Sequence, residues 1–359
     1  MLASYKRLLT NVGLLLLCLS TTMSAAAGAT ESSFGLKYFT VVFQLPPSVA
    51  SLVTIALFPS FIIGNLVGGY LIKRRKWSPA KCALLILFGD AVAIVFIPVY
   101  LTLGCSTQNL AGISTDYTPP APYDTLPAIN DQVTLPGSAQ LARSPCNANC
   151  SCGNEAYNPV CGADGIMYVS PCYAGCEAVK KTEDENSMEV QSFVDCRCIN
   201  SIDGNATAVD GECSASCQAW QLPVLISAAV VQFMCGALGR SGMVLIALRI
   251  VEDDLRASAL GLQQLVQTLL GSLPAPIYVG ALINSACILW GYQDGQKGAC
   301  WVYDLTTYRL SFYGLMGAYK VVSTLLFTGV FFVLRDSKKK EDDNLSGDKA
   351  KEVTEKHTI

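Results

Sequence analysis

Apolar residues in this chain gather into long, nearly uncharged runs. They do not form the i, i+3, i+4 stripes of amphipathic surface helices or the strict alternation of half-buried strands. Six such runs cover residues 8–29, 49–72, 82–103, 220–248, 259–290 and 310–334. Each reaches the roughly 20 residues that a helix needs to cross the hydrocarbon core of a bilayer. Helices are the predicted form, because hydrocarbon offers no partner for an unpaired backbone amide. Several runs exceed one bilayer thickness, which predicts tilt, kinking or extension beyond the hydrocarbon. Pro274 and Pro276 place a kink in the fifth. The first run has a second reading: Lys6-Arg7, the core Leu14 to Leu17 and Ser24-Ala25-Ala26-Ala27 have the layout of a cleavable secretory signal, whose removal leaves five spans. Residues 115–145 are rich in Pro, Ser, Thr and Asn and read as an irregular linker. Residues 335–359 are charge-dense without apolar periodicity and read as a disordered tail.

Composition sharpens this picture. Hydrophobic residues make up 51% of the 359 and charged residues 15%, against roughly 45–50% and 25% in soluble domains. This composition argues against a purely soluble protein. The net charge is −3, from 25 Lys+Arg and 28 Asp+Glu, so there is no polyelectrolyte signal for a nucleic-acid partner. A single histidine, His357, removes most histidine-based metal and nucleophile chemistry, and no Walker motif is present. Neither an enzyme nor a cofactor is expected; the lipid bilayer is the first expected partner.

Charge placement gives a topology. Lys73, Arg74, Arg75, Lys76 and Lys81 crowd the turn after the second run without an acid among them, which assigns it to the cytoplasm. With six spans, both termini then lie on that side, together with Lys6, Arg7, the turn from Arg249 to Arg256, Arg335 and Lys338 to Lys340. Residues 104–218 fall on the opposite side. The 16 cysteines agree independently, because eleven lie between Cys105 and Cys217, a density that marks a disulfide scaffold in an oxidising compartment. Cys18, Cys82, Cys235, Cys287 and Cys300 lie in or beside apolar runs, where a thiol behaves as a small buried hydrophobe. Asn205-Ala206-Thr207 is an acceptor sequence for N-glycosylation, and Asn149-Cys150-Ser151 is a second one crowded by cysteines.

The disulfide candidates are Cys105, Cys146, Cys150, Cys152, Cys161, Cys172, Cys176, Cys196, Cys198, Cys213 and Cys217, with Cys300 placed to take the odd thiol left by eleven. Their connectivity does not follow from spacing. From Cys146 the pattern runs C-x3-C-x-C-x8-C-x10-C-x3-C-x19-C-x-C and encloses Pro159-Val160-Cys161-Gly162-Ala163-Asp164-Gly165, Tyr168 and Pro171-Cys172. This arrangement resembles the Kazal fold, in which bridges replace a core too small to hold the loop alone. Gly162 and Gly165 suit tight turns there. The resemblance also implies a protease-inhibitor reading, with an inhibitory loop at Gly153-Asn154-Glu155; a folded extracellular lid is the plainer one. A metal cluster on C-x3-C-x-C is disfavoured by the oxidising side and by the lack of nearby histidine.

Six spans with a Kazal-like loop between the third and fourth resemble the C-terminal half of an organic anion transporting polypeptide. The residues that carry the likeness are Phe58-Pro59, Gly64-x3-Gly68-Gly69-Tyr70, the loop cysteines, Ala259-Leu260-Gly261, Pro274-x-Pro276, Gly280-Ala281-Leu282-Ile283 and Gly298-Ala299-Cys300. The likeness implies an all-α membrane protein: a six-helix half of a major facilitator-type transporter with a small disulfide-rich Kazal-like extracellular domain. Residues 1–103 would match the family's spans 7–9, 104–218 the extracellular loop with its module at about 144–198, and 219–334 the spans 10–12. It further implies a plasma-membrane location and sodium-independent transport of amphipathic organic anions such as steroid conjugates and bile-acid-like or prostaglandin-like molecules. An N-terminal six-helix half would be the missing partner, which marks the chain as a fragment or truncated isoform. The alternative is a membrane-tethered Kazal-type binding or inhibitory module.

An amphipathic anion needs a positive group in a partly dehydrated, apolar-lined cavity. Lys320, in the middle of the sixth run, leads the substrate-binding candidates, and the resemblance marks it as a basic position common in the family. Lys37 also matches a family basic residue, and Arg240 lies toward the cytoplasmic part of the fourth run. For all three, an ion pair or snorkelling to the interface is the competing role. The family's usual arginine is Thr268 here and its usual aspartate is Asn284, so two charges are absent. Asp90 in the third run suggests either proton coupling or a buried carboxylate held by a neighbouring helix or a basic partner. Gly64, Gly68 and Gly69 read as close helix packing.

Overall fold

A computed structural model describes residues 2–117, 144–150, 152, 157–183, 189–200, 206–213, 217–293 and 296–356. Among the described residues, six stretches are helices long and apolar enough to cross a membrane: Val12–Val42, Pro47–Arg75, Pro79–Thr102, Gln221–Ile250, Asp253–Asn284 and Leu305–Asp336. The chain divides into a helical unit of Met1–Gly104, Ala219–Ile283 and Arg309–Ile359, and a second unit of Cys105–Gln218 and Asn284–Tyr308.

In the helical unit a short α1 (Leu2–Thr10) precedes α2 (Val12–Val42), whose first turn is capped by Asn11: its Oδ1 accepts the Leu14 amide at 3.1 Å. Both α3 (Pro47–Arg75) and α4 (Pro79–Thr102) start on proline, where the missing N–H would have had no helical partner anyway. Within the helices the hydroxyls of Thr21, Thr54, Thr102, Thr324 and Thr328 donate to carbonyls four residues back at 2.7–2.9 Å. These polar side chains are thereby satisfied inside their own helix.

The fourth span is two helices, α5 (Gln221–Leu238) and α6 (Arg240–Ile250), joined at Gly239 where Ile86 of α4 packs. Gly64 and Gly68 of α3 lie against the backbone carbonyls of Met234 and Leu238 in α5, so close that a Cβ on either would overlap them. The small-residue pattern thus brings two helix backbones into direct contact. The fifth span runs from a 3₁₀ turn through α7 (Arg256–Val266), a π-helical turn at Gln267–Ser272 and then α8 (Ala275–Asn284). Pro274 stands between the π turn and α8, where the kink is expected.

Two boundaries read from the sequence need correction. The fifth span ends at Asn284 and not at Trp290, because Cys287–Gln293 is a strand, β6, that pairs antiparallel with β7 (Gln296–Tyr303). The apolar run hid a strand rich in Ile, Trp and Tyr, residues that favour extended backbone. The charged tail expected to be disordered is helical: α9 runs unbroken from Leu305 to Lys356. Residues 336–356 contain no proline and many Lys, Asp and Glu, of which Lys and Glu are good helix formers.

The second unit contains a sheet ordered β2-β1-β5-β4-β3, from β1 (Val160–Gly162), β2 (Met167–Tyr168), β3 (Ala178–Glu183), β4 (Glu189–Val194) and β5 (Ala208–Asp210). All its pairings are antiparallel. A small core of Val160, Tyr168, Ala174, Phe193, Cys196 and Cys198 underlies it. Gly165 turns the chain between β1 and β2 at φ 75°, a conformation that favours glycine. The Tyr168 hydroxyl lies 2.9 Å from the Asp164 carboxylate and 3.0 Å from the Cys198 carbonyl; burial and Asp164 push its pKa up.

Disulfides join Cys105–Cys217, Cys146–Cys198, Cys152–Cys172, Cys161–Cys213, Cys176–Cys196 and Cys287–Cys300. Cys300 therefore takes no loop thiol, because it is bridged within the β6–β7 hairpin to Cys287, which is not the buried thiol its apolar run suggested. The expected bridge at Cys150 is absent; Cys150 is a free, half-buried thiol. Cys18 and Cys82 are buried thiols and Cys235 is half-buried. Asn149 is exposed, whereas Asn205 and the Gly153-Asn154-Glu155 segment lie outside the described residues.

Candidate functional site

The charged centre of the helical unit joins the third and sixth spans. Lys320 of α9 donates from Nζ to Asp90 Oδ1 at 3.0 Å, with the side chains 25% and 10% exposed respectively. Either charge alone at mid-span carries an insertion penalty of roughly 2.5–3.5 kcal/mol, and pairing offsets part of it. Lys320 and Asp90, separate in the sequence reading, are thus one feature. The basic partner considered for Asp90 is present.

The register of α2 against α9 brings in a third charge. Ser20 and Ser24 of α2 meet Ser323 of α9, with Oγ–Oγ separations of 3.2 and 2.9 Å. Farther along α2, Tyr38 stacks on Phe312 at 5.4 Å and meets the edge of Tyr313 at 4.9 Å. The two helices run antiparallel, so Glu31, between these contacts, faces the turn of α9 that carries Lys320. Glu31 is half-buried there, within electrostatic reach of the Lys320 ammonium.

Aromatic rings close one side of this cluster. Tyr100 of α4 stacks on Tyr313 at 4.6 Å with 12° between planes, and Phe39 and Phe43 pack edge-on around Tyr38. A hydroxyl seam closes the other side, where Ser20 Oγ and Ser323 Oγ each reach the other's backbone carbonyl at 3.0 Å. Gln263 of α7 adds its side-chain amide to Thr21 Oγ1 at 3.4 Å. The arrangement sets the Lys320 ammonium and two carboxyl groups beside a set of packed, largely buried aromatic rings.

The remaining sequence candidates lie elsewhere. Lys37 is half-buried on α2, six residues beyond Glu31, or about 9 Å along the helix. Arg240 is exposed at the start of α6, with its guanidinium 5.1 Å from the Phe61 ring centre in α3. Thr268 lies in the π turn, where its Oγ1 accepts Gln264 Nε2 at 3.4 Å. Asn284 is exposed at the end of α8. Glu31 escaped the sequence reading, which ended the first span at residue 29. A helix extended to Val42 would have placed that isolated acid inside the span.

The profile of the Organic Anion Transporter Polypeptide (OATP) family matches residues 1–308. Solute carrier organic anion transporter family member 4A1 of Mus musculus is 34% identical over 335 residues, covering 91% of this chain and 43% of that protein. Family member 1B1 of Homo sapiens is 30% identical over 352 residues, covering 96% and 48%. Family member 1B2 of Rattus norvegicus is 29% identical over 357 residues, covering 99% and 49%. The chain spans about half the length of the curated relatives it matches.

Proposed function

The chain belongs to the Organic Anion Transporter Polypeptide family, and on that premise we propose that its helices form one half of a sodium-independent carrier for amphipathic organic anions. The observation that carries this reading is the Lys320–Asp90 pair, mid-span with Asp90 buried and Lys320 half-buried, beside an aromatic wall. Asp90 occupies the ammonium in the way a substrate's sulfate or carboxylate would, so the anion enters by exchange with an internal carboxylate. Tyr313, the half-buried ring of the cluster, offers apolar area to the rest of the molecule, with Tyr38, Tyr100 and Phe312 buried behind it. Steroid conjugates and bile-acid-like or prostaglandin-like molecules have this two-ended chemistry. Lys37 and Arg240 serve as outlying basic groups near the ends of the path.

In this reading the helices form a major facilitator-type half in the plasma membrane, with both termini cytoplasmic and the disulfide-bonded unit a Kazal-like extracellular lid. Transport by alternating access rocks two such halves about a midplane site. The chain's length, about half that of its relatives, therefore calls for a second six-helix half.

Binding is tested on the purified chain in lipid nanodiscs with a radiolabelled monosulfated steroid. Lys320→Gln should weaken binding about tenfold or more, the loss of one charge-assisted contact, while Lys320→Arg keeps most of it. Equal affinity in Lys320→Gln and the unaltered chain overturns the assignment of Lys320. In cells, uptake of the same steroid should require co-expression with the N-terminal half of a family member.

A further inference from the structure

Resting on the reading of Lys320 as the anion-binding group, we propose that Glu31 is the charge-selecting residue of that site, favouring monoanions over dianions. Three helices contribute one charged group each: Glu31 from α2, Asp90 from α4 and Lys320 from α9. Lys320 is bonded to Asp90 at 3.0 Å. The serine contacts at Ser323 and the ring contacts at Phe312 and Tyr313 bracket Glu31 on the face of α2 that meets α9. With both carboxylates ionised, the cluster carries a net charge of −1.

That sign governs what the site accepts. A site with excess positive charge gains with every negative charge on its ligand. Here one carboxylate balances the ammonium and the second remains. Each negative charge brought in is opposed by Glu31 across a partly dehydrated interior, where screening is weak, and only the first gains contact with Lys320. The first charge takes the place of Asp90 on the ammonium; a second has no further cation within this three-residue cluster and meets the fields of both Glu31 and the displaced Asp90. Affinity then comes from apolar area against Tyr313, the half-buried ring of the cluster, which is why the preferred molecule is amphipathic and singly charged.

The experiment uses the full chain in nanodiscs and two radiolabelled probes on one skeleton, a monosulfated and a disulfated steroid. The unaltered chain should bind the monosulfate at least tenfold more tightly. Glu31→Gln should tighten the monosulfate about tenfold and the disulfate about a hundredfold, since the removed repulsion acts once per ligand charge. Glu31→Asp should keep the original preference. Equal affinity of the unaltered chain for the two probes, or a preference unmoved by Glu31→Gln, overturns charge selection while leaving Lys320 as the anion site. Loss of all binding to the unaltered chain, or binding indifferent to Lys320→Gln, overturns the reading beneath it. Should Glu31→Gln fail to fold, the preference measured on the unaltered chain still decides.

Discussion

Lys320 and Asp90 are each costly in a membrane interior and tolerable together. Removing one partner leaves the other charged and unpaired, whereas replacing both removes the problem. Asp90→Ala should therefore destabilise the helical unit by about 3 kcal/mol. The double variant Asp90→Leu/Lys320→Met should lose less than about 1 kcal/mol. Thermal unfolding of nanodisc-embedded protein measures both, and equal losses in the single and double variants would show the two residues to be uncoupled. The sequence made Lys320 and Asp90 visible because a charge in an apolar run stands out. It could not show that they touch, since 230 residues separate them. Glu31 was hidden for a different reason: Thr30, Ser32 and Ser33 flank it and dilute the hydropathy at the point where α2 continues.

At the scale of elements, the α3–α5 contact depends on missing side chains. A Cβ at Gly68 would run into the Leu238 carbonyl, whereas one at Gly69 would come no nearer than 3.5 Å to Ser241 Oγ. Adjacent substitutions should thus differ sharply: Gly69→Ala should be neutral, and Gly68→Ala should lower the unfolding temperature and the yield of monodisperse protein. Equal behaviour of the two would refute close backbone packing as the reason for the motif. Helix existence was legible from apolar run length, because lipid leaves the backbone no alternative. Helix ends were not. The run at 259–290 mixes a helix with a strand, and hydropathy does not distinguish an apolar helix from an aromatic strand paired across a hairpin. At the start of the sixth span, Asp304 accepts from Thr107 Oγ1 at 2.9 Å and from the Thr306 amide at 3.1 Å, and also bonds the Thr307 hydroxyl. Burial works against its ionisation, but these hydrogen bonds prevail and hold its pKa below the usual carboxylate range. The Thr306 and Thr307 contacts are the local N-cap of an Asp before a helix, whereas the Thr107 contact spans 197 residues and left no trace in the sequence.

For the whole molecule, the proposed transport rests on which membrane face each connection occupies. Two independent physical arguments converge on one topology. Basic residues without acids at Lys73 to Lys76 and Lys81 favour the cytoplasm, and the five disulfides within residues 105–217 require an oxidising medium. Epitopes inserted after Ser78 and after Gln140 should then report opposite faces: the second stains on intact cells, and the first only after permeabilisation. Asn205→Gln should also abolish a glycosidase-sensitive shift in electrophoretic mobility, since its acceptor sequence is used only on the lumenal side. If both epitopes stain on intact cells, the chain does not cross the membrane an odd number of times between them. The third span would then fail as a crossing. Asp90 would lose its place opposite Lys320 in the membrane interior, and with it the exchange of an internal carboxylate for a substrate anion.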